Sequence, residues 1–382
     1  MISRNDVIPL LSALVAIDSV NPSLVSGAAG ETEMAHYVAA WLADAGLVVE
    51  TPAAAPGRPN VVGRLRGRGG GRTLMLNAHM DTVGVAGMDA PFTPRVDGTR
   101  LYGRGAYDMK GSLAAIMLAA RALVGAGLRG DVLVTAVADE EYASLGTQAI
   151  VRSHGADAAI VTEPTGAPRI CIAHKGFAWL SVETTGRAAH GSKPDLGVDA
   201  IAHMGRVLVS LEQLSAELNR GPRHPLLGSG SIHASLIEGG QELSSYPASC
   251  RLRIERRTLP GETEDAIRAE IEEVVQSAAS GDPAFAATSE LFFWRDPFEV
   301  GADEEIVRLL GDAVTASVGS RPELYGDTPW MDAALLSAAG IPTVVYGPGG
   351  GGAHAVEEWS DLDEVVACAG VLAQTARRFC GA

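Results

Sequence analysis

The sequence predicts an α/β protein: a mostly parallel sheet with helices on its faces, interrupted by a small inserted α+β domain. Three observations predict it. The chain has 382 residues, more than one compact core organises well and suited to two domains. Apolar strand-like runs alternate with helical stretches in the first third, and the same style resumes after about residue 294, which is the pattern of helices covering a parallel sheet. Between these parts the order reads β-α-β-β-α-β, the ferredoxin-like arrangement.

The elements follow in order. Met1-Ile2-Ser3-Arg4-Asn5-Asp6 leads into an amphipathic helix, not a secretory leader. Over 31–45, Met34, Val38, Trp41 and Leu42 share one helical face, and Gly46 follows as a stop. Strands are expected at 60–66, 72–79, 131–138 and 158–162, with a helix near 110–124. The middle places strands at Trp179–Thr185, Ser231–Ile237, Ser249–Arg257 and Ala287–Trp294, and helices at Val198–Leu218 and Glu262–Ala278. Helices near 303–317 and 331–339 come next. Then follow a strand at 342–346, the loop Gly347–Gly352 and a last helix near 361–378. The expected limits are 1–176 and 294–382 for the α/β domain and 177–293 for the insertion, with two covalent links near Gly176 and Asp296-Pro297.

Composition excludes several classes. Net charge is -16, and nucleic acid or anionic membrane would need Lys/Arg patches. No apolar run approaches the roughly 18 to 20 residues of a membrane span. Cys171, Cys250, Cys368 and Cys380 are widely spread, with no C-x-x-C. They read as reduced thiols of a cytoplasmic protein.

Chemistry concentrates where apolar runs end. Leu74–Ala78 leads to His79, and Asp81 follows two residues later. Positions i and i+2 of a strand face one side, so Asp81 is expected to accept the second ring N–H of His79 and orient it for a metal. Asp108 follows a Gly-rich stretch and opens a helix, a place for a bridging or capping carboxylate. Glu140-Glu141 ends the 131–138 run, where adjacent residues point different ways. Glu163 ends another run, stopped by Pro164. His354 follows the glycines of Gly347–Gly352. Ligands gather outside the carboxyl ends of strands in such sheets, and His with carboxylates suits a zinc site with an open position.

These residues carry a resemblance. The pieces are His79-Met80-Asp81-Thr82-Val83, Gly103-Arg104-Gly105 through Asp108-Met109-Lys110-Gly111, and Asp139-Glu140-Glu141 with Gly146-Thr147. They continue with Thr162-Glu163-Pro164-Thr165, Ala189-His190-Gly191-Ser192 and Arg257-Thr258-Leu259-Pro260-Gly261-Glu262. Met331-Asp332-Ala333 and the loop ending in Ala353-His354 complete the series. In this order, over nearly the whole length, the chain resembles the zinc amidohydrolases of the acetylornithine deacetylase, succinyl-diaminopimelate desuccinylase, aminoacylase and glutamate-carboxypeptidase family.

The resemblance implies a zinc-peptidase-like catalytic domain with an inserted lid and dimerisation domain. It implies two divalent ions per chain, zinc with cobalt able to substitute. His79 and Glu163 would hold one, Glu141 and His354 the other, with Asp108 bridging. Glu140 would be general base and acid, Asp81 the partner of His79, and His190 an oxyanion donor, often supplied across a dimer. Arg257 would clamp a substrate carboxylate, a job suited to a bidentate guanidinium, and Asp332 would lie among the substrate contacts. The adjacent Arg256 is expected to point to the other strand face as a surface charge. The segment after Gly239-Gly240 departs from relatives, which often carry Asn where Ser stands in Gln241–Pro247. The implied reaction is hydrolysis of an N-acyl amino acid by a cytoplasmic homodimer. A carboxypeptidase or dipeptidase acting on short peptides is the alternative, and a non-catalytic binding protein on the same fold a remote one.

Overall fold

The computed structural model describes residues 2–381. The chain forms two compact units. The first takes residues through Ile172, Val300–Tyr325 and from Met331 onward; the second takes Ala173–Glu299 and Gly326–Trp330. The short segment Gly326–Trp330 is a departure from the expected two links, because the chain passes between the units four times.

In the first unit the strands lie in the order Val48–Glu50, Val61–Leu65, Val132–Val137, Leu74–His79, Ala158–Val161, Thr343–Val345 and Arg169–His174. The four from Val132–Val137 to Thr343–Val345 run parallel, and the flanking pairs are antiparallel. The sequence explains the centre. Leu74–His79 and Val132–Val137 are buried at every position, the state of a strand covered on both faces. Their near-continuous Val, Leu and Ala fit it, and the one central amide, Asn77, is satisfied by Thr135 Oγ1 at 3.0 Å. The helix Gly111–Leu123 is equally apolar, with eleven buried residues, because sheet and the helix Leu362–Cys380 both pack on it. Truncating a fully buried residue such as Leu76 to Ala costs about 2–5 kcal/mol. Asp361 starts Leu362–Cys380 by accepting from the Asp363 and Glu364 N–H groups, a side-chain cap for orphan donors.

The second unit is a four-stranded antiparallel sheet ordered Ser231–Gly239, Ser249–Thr258, Gly176–Thr185, Ala286–Arg295. The helices Ala200–Arg220 and Glu264–Ala278 cover one face, capped by Asp199 and Thr263. Ala178, Leu180, Val182, Leu252 and Ile254 alternate inward to meet Met204, Val207, Ile267 and Ile271, the period-2 and 3.6 patterns meeting in one core. This is the ferredoxin-like order expected. The sequence reading missed a small sheet in the first unit, formed by Gly350–Gly351, Trp359–Asp361, Arg100–Tyr102 and Arg95–Asp97. Its strands are two or three residues long, too short for periodicity to register.

Candidate metal centre

Parallel register builds the site. His79 pairs with Val137, and Asn77 with Val161. The residues just past Val137 and Val161 therefore emerge at the same sheet edge as His79, and these are Glu140, Glu141 and Glu163. Asp108 comes from the turn before Gly111–Leu123. Gly105 makes that turn possible: its φ is +76°, and a Cβ there would lie 2.6 Å from Thr82. Gly352 does the same before His354, with φ +80° and a Cβ that would meet Glu357 O at 1.9 Å. Only glycine accepts such positions without strain.

The side chains converge. Asp108 stands between the two imidazoles, Oδ1 at 3.1 Å from His79 Nε2 and Oδ2 at 3.4 Å from His354 Nε2. His354 Nε2 also lies 3.1 Å from Glu141 Oε2, and His79 Nε2 3.7 Å from Glu163 Oε1. Ligand atoms of His79, Glu140 and Glu163 fall within 4.8 Å of one another, as do those of His79, Asp108 and Glu141. The two groups share His79, and His354 joins the second through Asp108 and Glu141.

Burial and crowded carboxylates shift the titrations of the cluster. Burial, then the neighbouring Glu163 charge, pushes the Glu140 carboxyl well up, and burial with Asp108 and Asp332 does the same to Glu163. Burial opposes ionisation of Asp108 too, yet hydrogen bonds from His354 and His79 hold its carboxyl well below the usual range. Bonds to Asp108 and Glu141 push the His354 imidazole up to about 10. The cationic imidazoles thus neutralise carboxylates that burial would leave unpaired. Buried oxygens Glu141 Oε1 and Glu163 Oε1 have no hydrogen-bond partner among the described residues. Orphaned buried carboxylate oxygens beside imidazole nitrogens are the donor set a divalent cation takes, so these residues fit two ions.

The cluster rests on two buried networks. Asp81 corrects the expected pairing. The Nδ1–H of His79 donates to the backbone carbonyl of Asp81 at 2.9 Å, while its carboxylate stands 3.6 Å off. That carboxylate instead accepts the backbone N–H groups of Glu140 and Glu141, at 3.1 and 3.2 Å, and the Asn21 amide at 2.7 Å. Asn21 and Asp139 in turn meet Arg58, which is paired with Glu31. The second network centres on Glu358, which accepts the N–H groups of Gly105, Tyr107 and Asp108 and pairs with Arg104 at 2.6 Å. Arg104 also donates to Ala355 O, next to His354. Sequence reasoning missed Arg58, Glu31, Asn21 and Glu358. Glu357-Glu358 gave a usable signal, an adjacent carboxylate pair that ends four residues past a site His.

A profile of peptidase family M20/M25/M40 matches residues 75–378, a span holding every residue of this cluster. The chain belongs to this family. It is 32% identical over 399 aligned positions to an acetylornithine deacetylase of Myxococcus xanthus, covering 99% of each chain. It is 27% identical to the N-formyl-4-amino-5-aminomethyl-2-methylpyrimidine deformylase of Bacillus subtilis, over 95% of this chain and 92% of the relative. The crystal structure of an aminopeptidase from Bacillus cereus superposes with a TM-score of 0.80 at 20% identity, over 98% and 99% of the two chains, which shows the shared fold.

Within this M20 chain Asp332 backs the cluster in the first unit, and the other expected residues belong to the second unit. Asp332 is buried, accepts from Thr147 Oγ1 at 2.6 Å, and is pushed up to about 6 by burial. Its carboxyl acts on Glu140 and Glu163 by charge, so it backs the cluster and its bonded oxygen faces the protein. His190 lies in the second unit on an exposed turn, its Nδ1 2.8 Å from Ser192 Oγ. Arg257 is in that unit's sheet, half-buried. Arg256 does point to the opposite face, but that face is covered. The residue is fully buried and pairs with Glu262 and Glu270 at 2.7 and 2.9 Å, which corrects its reading as a surface charge. Among the described residues no helix is long and apolar enough to cross a membrane.

Proposed function

We propose that the protein is a dinuclear metal-dependent amidohydrolase that splits an N-acyl amino acid into a carboxylate and a free amino acid. The observation that carries this is Asp108 held between His79 and His354, one carboxylate oxygen toward each, with Glu140 beside the His79–Glu163 pair. His79 and Glu163 would hold one ion, Glu141 and His354 the second, and Asp108 both. Zinc is the proposed metal, and cobalt would substitute. Such ions acidify water and polarise a carbonyl.

Glu140 does the proton work. Its carboxyl is held well above the ordinary range by burial and by Glu163. It lies outside both proposed ligand sets, so it is left to accept a proton from water and to return it to the leaving amine. Asp81 fixes the backbone of that residue through the Glu140 N–H. Arg257 would take the substrate carboxylate in its guanidinium fork. His190 would donate to the oxyanion, a role worth about 10²–10³ in rate.

The second unit is proposed to dimerise and to bring His190 to a partner's site. Its edge strand Ser231–Gly239 exposes Leu236 and Ile237, and its helix Ala200–Arg220 exposes Ile201 and Val209, surfaces a two-fold axis could pair. The four cysteines are buried and free, consistent with the cytoplasm as the proposed location.

The test is metal analysis plus hydrolysis. Zinc-reconstituted protein should hold two ions per chain and release amino acid from acetylornithine, other N-acyl amino acids or succinyl-diaminopimelate. Fewer than about one ion per chain, or turnover of dipeptides alone, would reject this reading.

A further inference from the structure

The sheet face opposite the helices of the second unit carries a composed surface. Residues two apart share a face, and register aligns them across strands. One row reads Ser231, Arg257, Phe177, Arg295, and the next His233, Glu255, Trp179, Phe293. The rings form a continuous floor. Trp179 and Phe293 stack with centroids 4.9 Å apart, and Phe177 lies 5.4 and 5.7 Å from them. Trp330 closes one end edge-on at 6.3 Å from Phe177, its indole N–H bonded to Asp296 O.

Cations are set around this floor in fixed poses. Arg257 lies over Phe177 at 5.1 Å, and Arg295 over Phe293 at 4.3 Å. Glu255 orients the first: one oxygen accepts from Arg257 Nε at 2.7 Å, the other from Trp179 Nε1 at 3.0 Å. Both terminal nitrogens of Arg257 remain without a hydrogen-bond acceptor among the described residues, on a side chain 32% exposed. A planar pair of free donors suits a carboxylate. Lys175 adds to the positive field, its amine pushed down by burial and by Arg257 and Arg256.

We infer that this face selects the substrate's amino-acid side chain. Arg257 takes the carboxylate, and the floor of Phe177, Trp179 and Phe293 takes a neutral side chain that is aromatic or bulky and apolar. The inference rests on the amidohydrolase reading above and narrows it. A cationic side chain such as that of ornithine is disfavoured here. Arg257, Arg295 and Lys175 repel it, both oxygens of Glu255 are already engaged, and guanidinium groups already cover the Phe177 and Phe293 rings that would attract a cation. The surface is thus built for a different amino acid from the one in the name of the Myxococcus relative.

The experiment compares N-acetylphenylalanine, N-acetylleucine and N-acetylornithine in two ways. Turnover is measured with the zinc-loaded full chain, and binding by calorimetry with the full-length Glu140→Gln chain. The phenylalanine and leucine compounds should lead by roughly tenfold or more in kcat/KM and in affinity. Trp179→Leu should cut N-acetylphenylalanine affinity about tenfold more than it cuts N-acetylornithine affinity, whereas Arg257→Lys should weaken all three alike. Equal or better turnover and binding of N-acetylornithine by the unmutated surface would overturn the inference, while leaving the amidohydrolase reading intact. Absence of turnover for all three, with the binding preference preserved, would reject that reading and support the surface assignment.

Discussion

The strand-end cluster of the first unit and the turn Ala189–Lys193 of the second hold the same kind of side chain under opposite constraints. His79 is 1% exposed and fixed by a carbonyl behind it and Asp108 in front. The His190 side chain is exposed and bonds to Ser192 of its own turn, and the turn is bridged by its backbone to Ser244–Tyr246. The first histidine is positioned before any ligand arrives; the second is proposed to serve a site completed by another body. Preorganised groups lose little entropy when they act, and mobile ones are suited to closure.

The largest expected effect probes the buried side. Glu140→Gln should retain both metals and lose about 10²–10⁴ in kcat, because an amide cannot carry a proton; metal content and turnover are measured on one sample. Next comes the exposed side. His190→Ala should cost about 10²–10³ in kcat with unchanged metal content. Mixing inactive His190→Ala with inactive Glu140→Gln should restore activity if His190 serves a partner's site. No recovery after demonstrated subunit exchange would place its action within its own chain, or nowhere.

Glu358→Gln sharpens the contrast from outside the ligand set. It keeps size but weakens the pairing with Arg104 and the anchoring of the Asp108 N–H. Metal affinity should fall about 10–100-fold in a chelator competition, with helix content unchanged by circular dichroism. A smaller effect should appear as pH dependence of the metal-free chain. Glu140 and Glu163 have raised folded values, and His354 stands at about 10 against an ordinary 6.5. Groups raised in the folded state favour folding below their unfolded values and lose that contribution as pH rises through the folded ones. Asp108 is shifted the other way and acts only in acid. The Tm of metal-free protein should therefore fall from about pH 5 to about pH 7, above which buried Lys110, pushed down to about 7, opposes the loss from His354, and zinc should flatten the fall. A rising metal-free profile would mean the carboxylates are not crowded. Smallest, Arg256→Met should lower stability by about 2 kcal/mol, less than for a fully buried pair since Glu262 and Glu270 are partly exposed. Arg257→Met should leave Tm unchanged and raise KM.

Much of the cluster was legible because it grows from strands. An apolar run that stops on His or Glu announces both an element and its carboxyl end, so His79, Glu140, Glu141 and Glu163 could be read together. The supports were less visible. Asp81 shares a side with His79 as expected, but the backbone turns after the strand, and its carboxylate meets the Glu140 and Glu141 N–H groups instead. Arg256 was placed on the correct face and wrongly left in water, because alternation gives a direction and says nothing of what covers it. Arg58 and Glu358 act through partners tens to hundreds of residues away, a relation no local spacing encodes.

The Glu358 lock has a consequence for how the protein is made. It ties the turn that carries Asp108 to the loop that carries His354, and these lie far apart in the chain. While the chain emerges from the ribosome, Asp108, Glu141 and Glu163 are synthesised long before His354 and Glu358 exist. A partial chain therefore offers scattered carboxylates, with neither the second imidazole nor the brace on Asp108. Tight metal capture should therefore begin only when synthesis has passed residue 358 and Glu358 can brace the Asp108 turn.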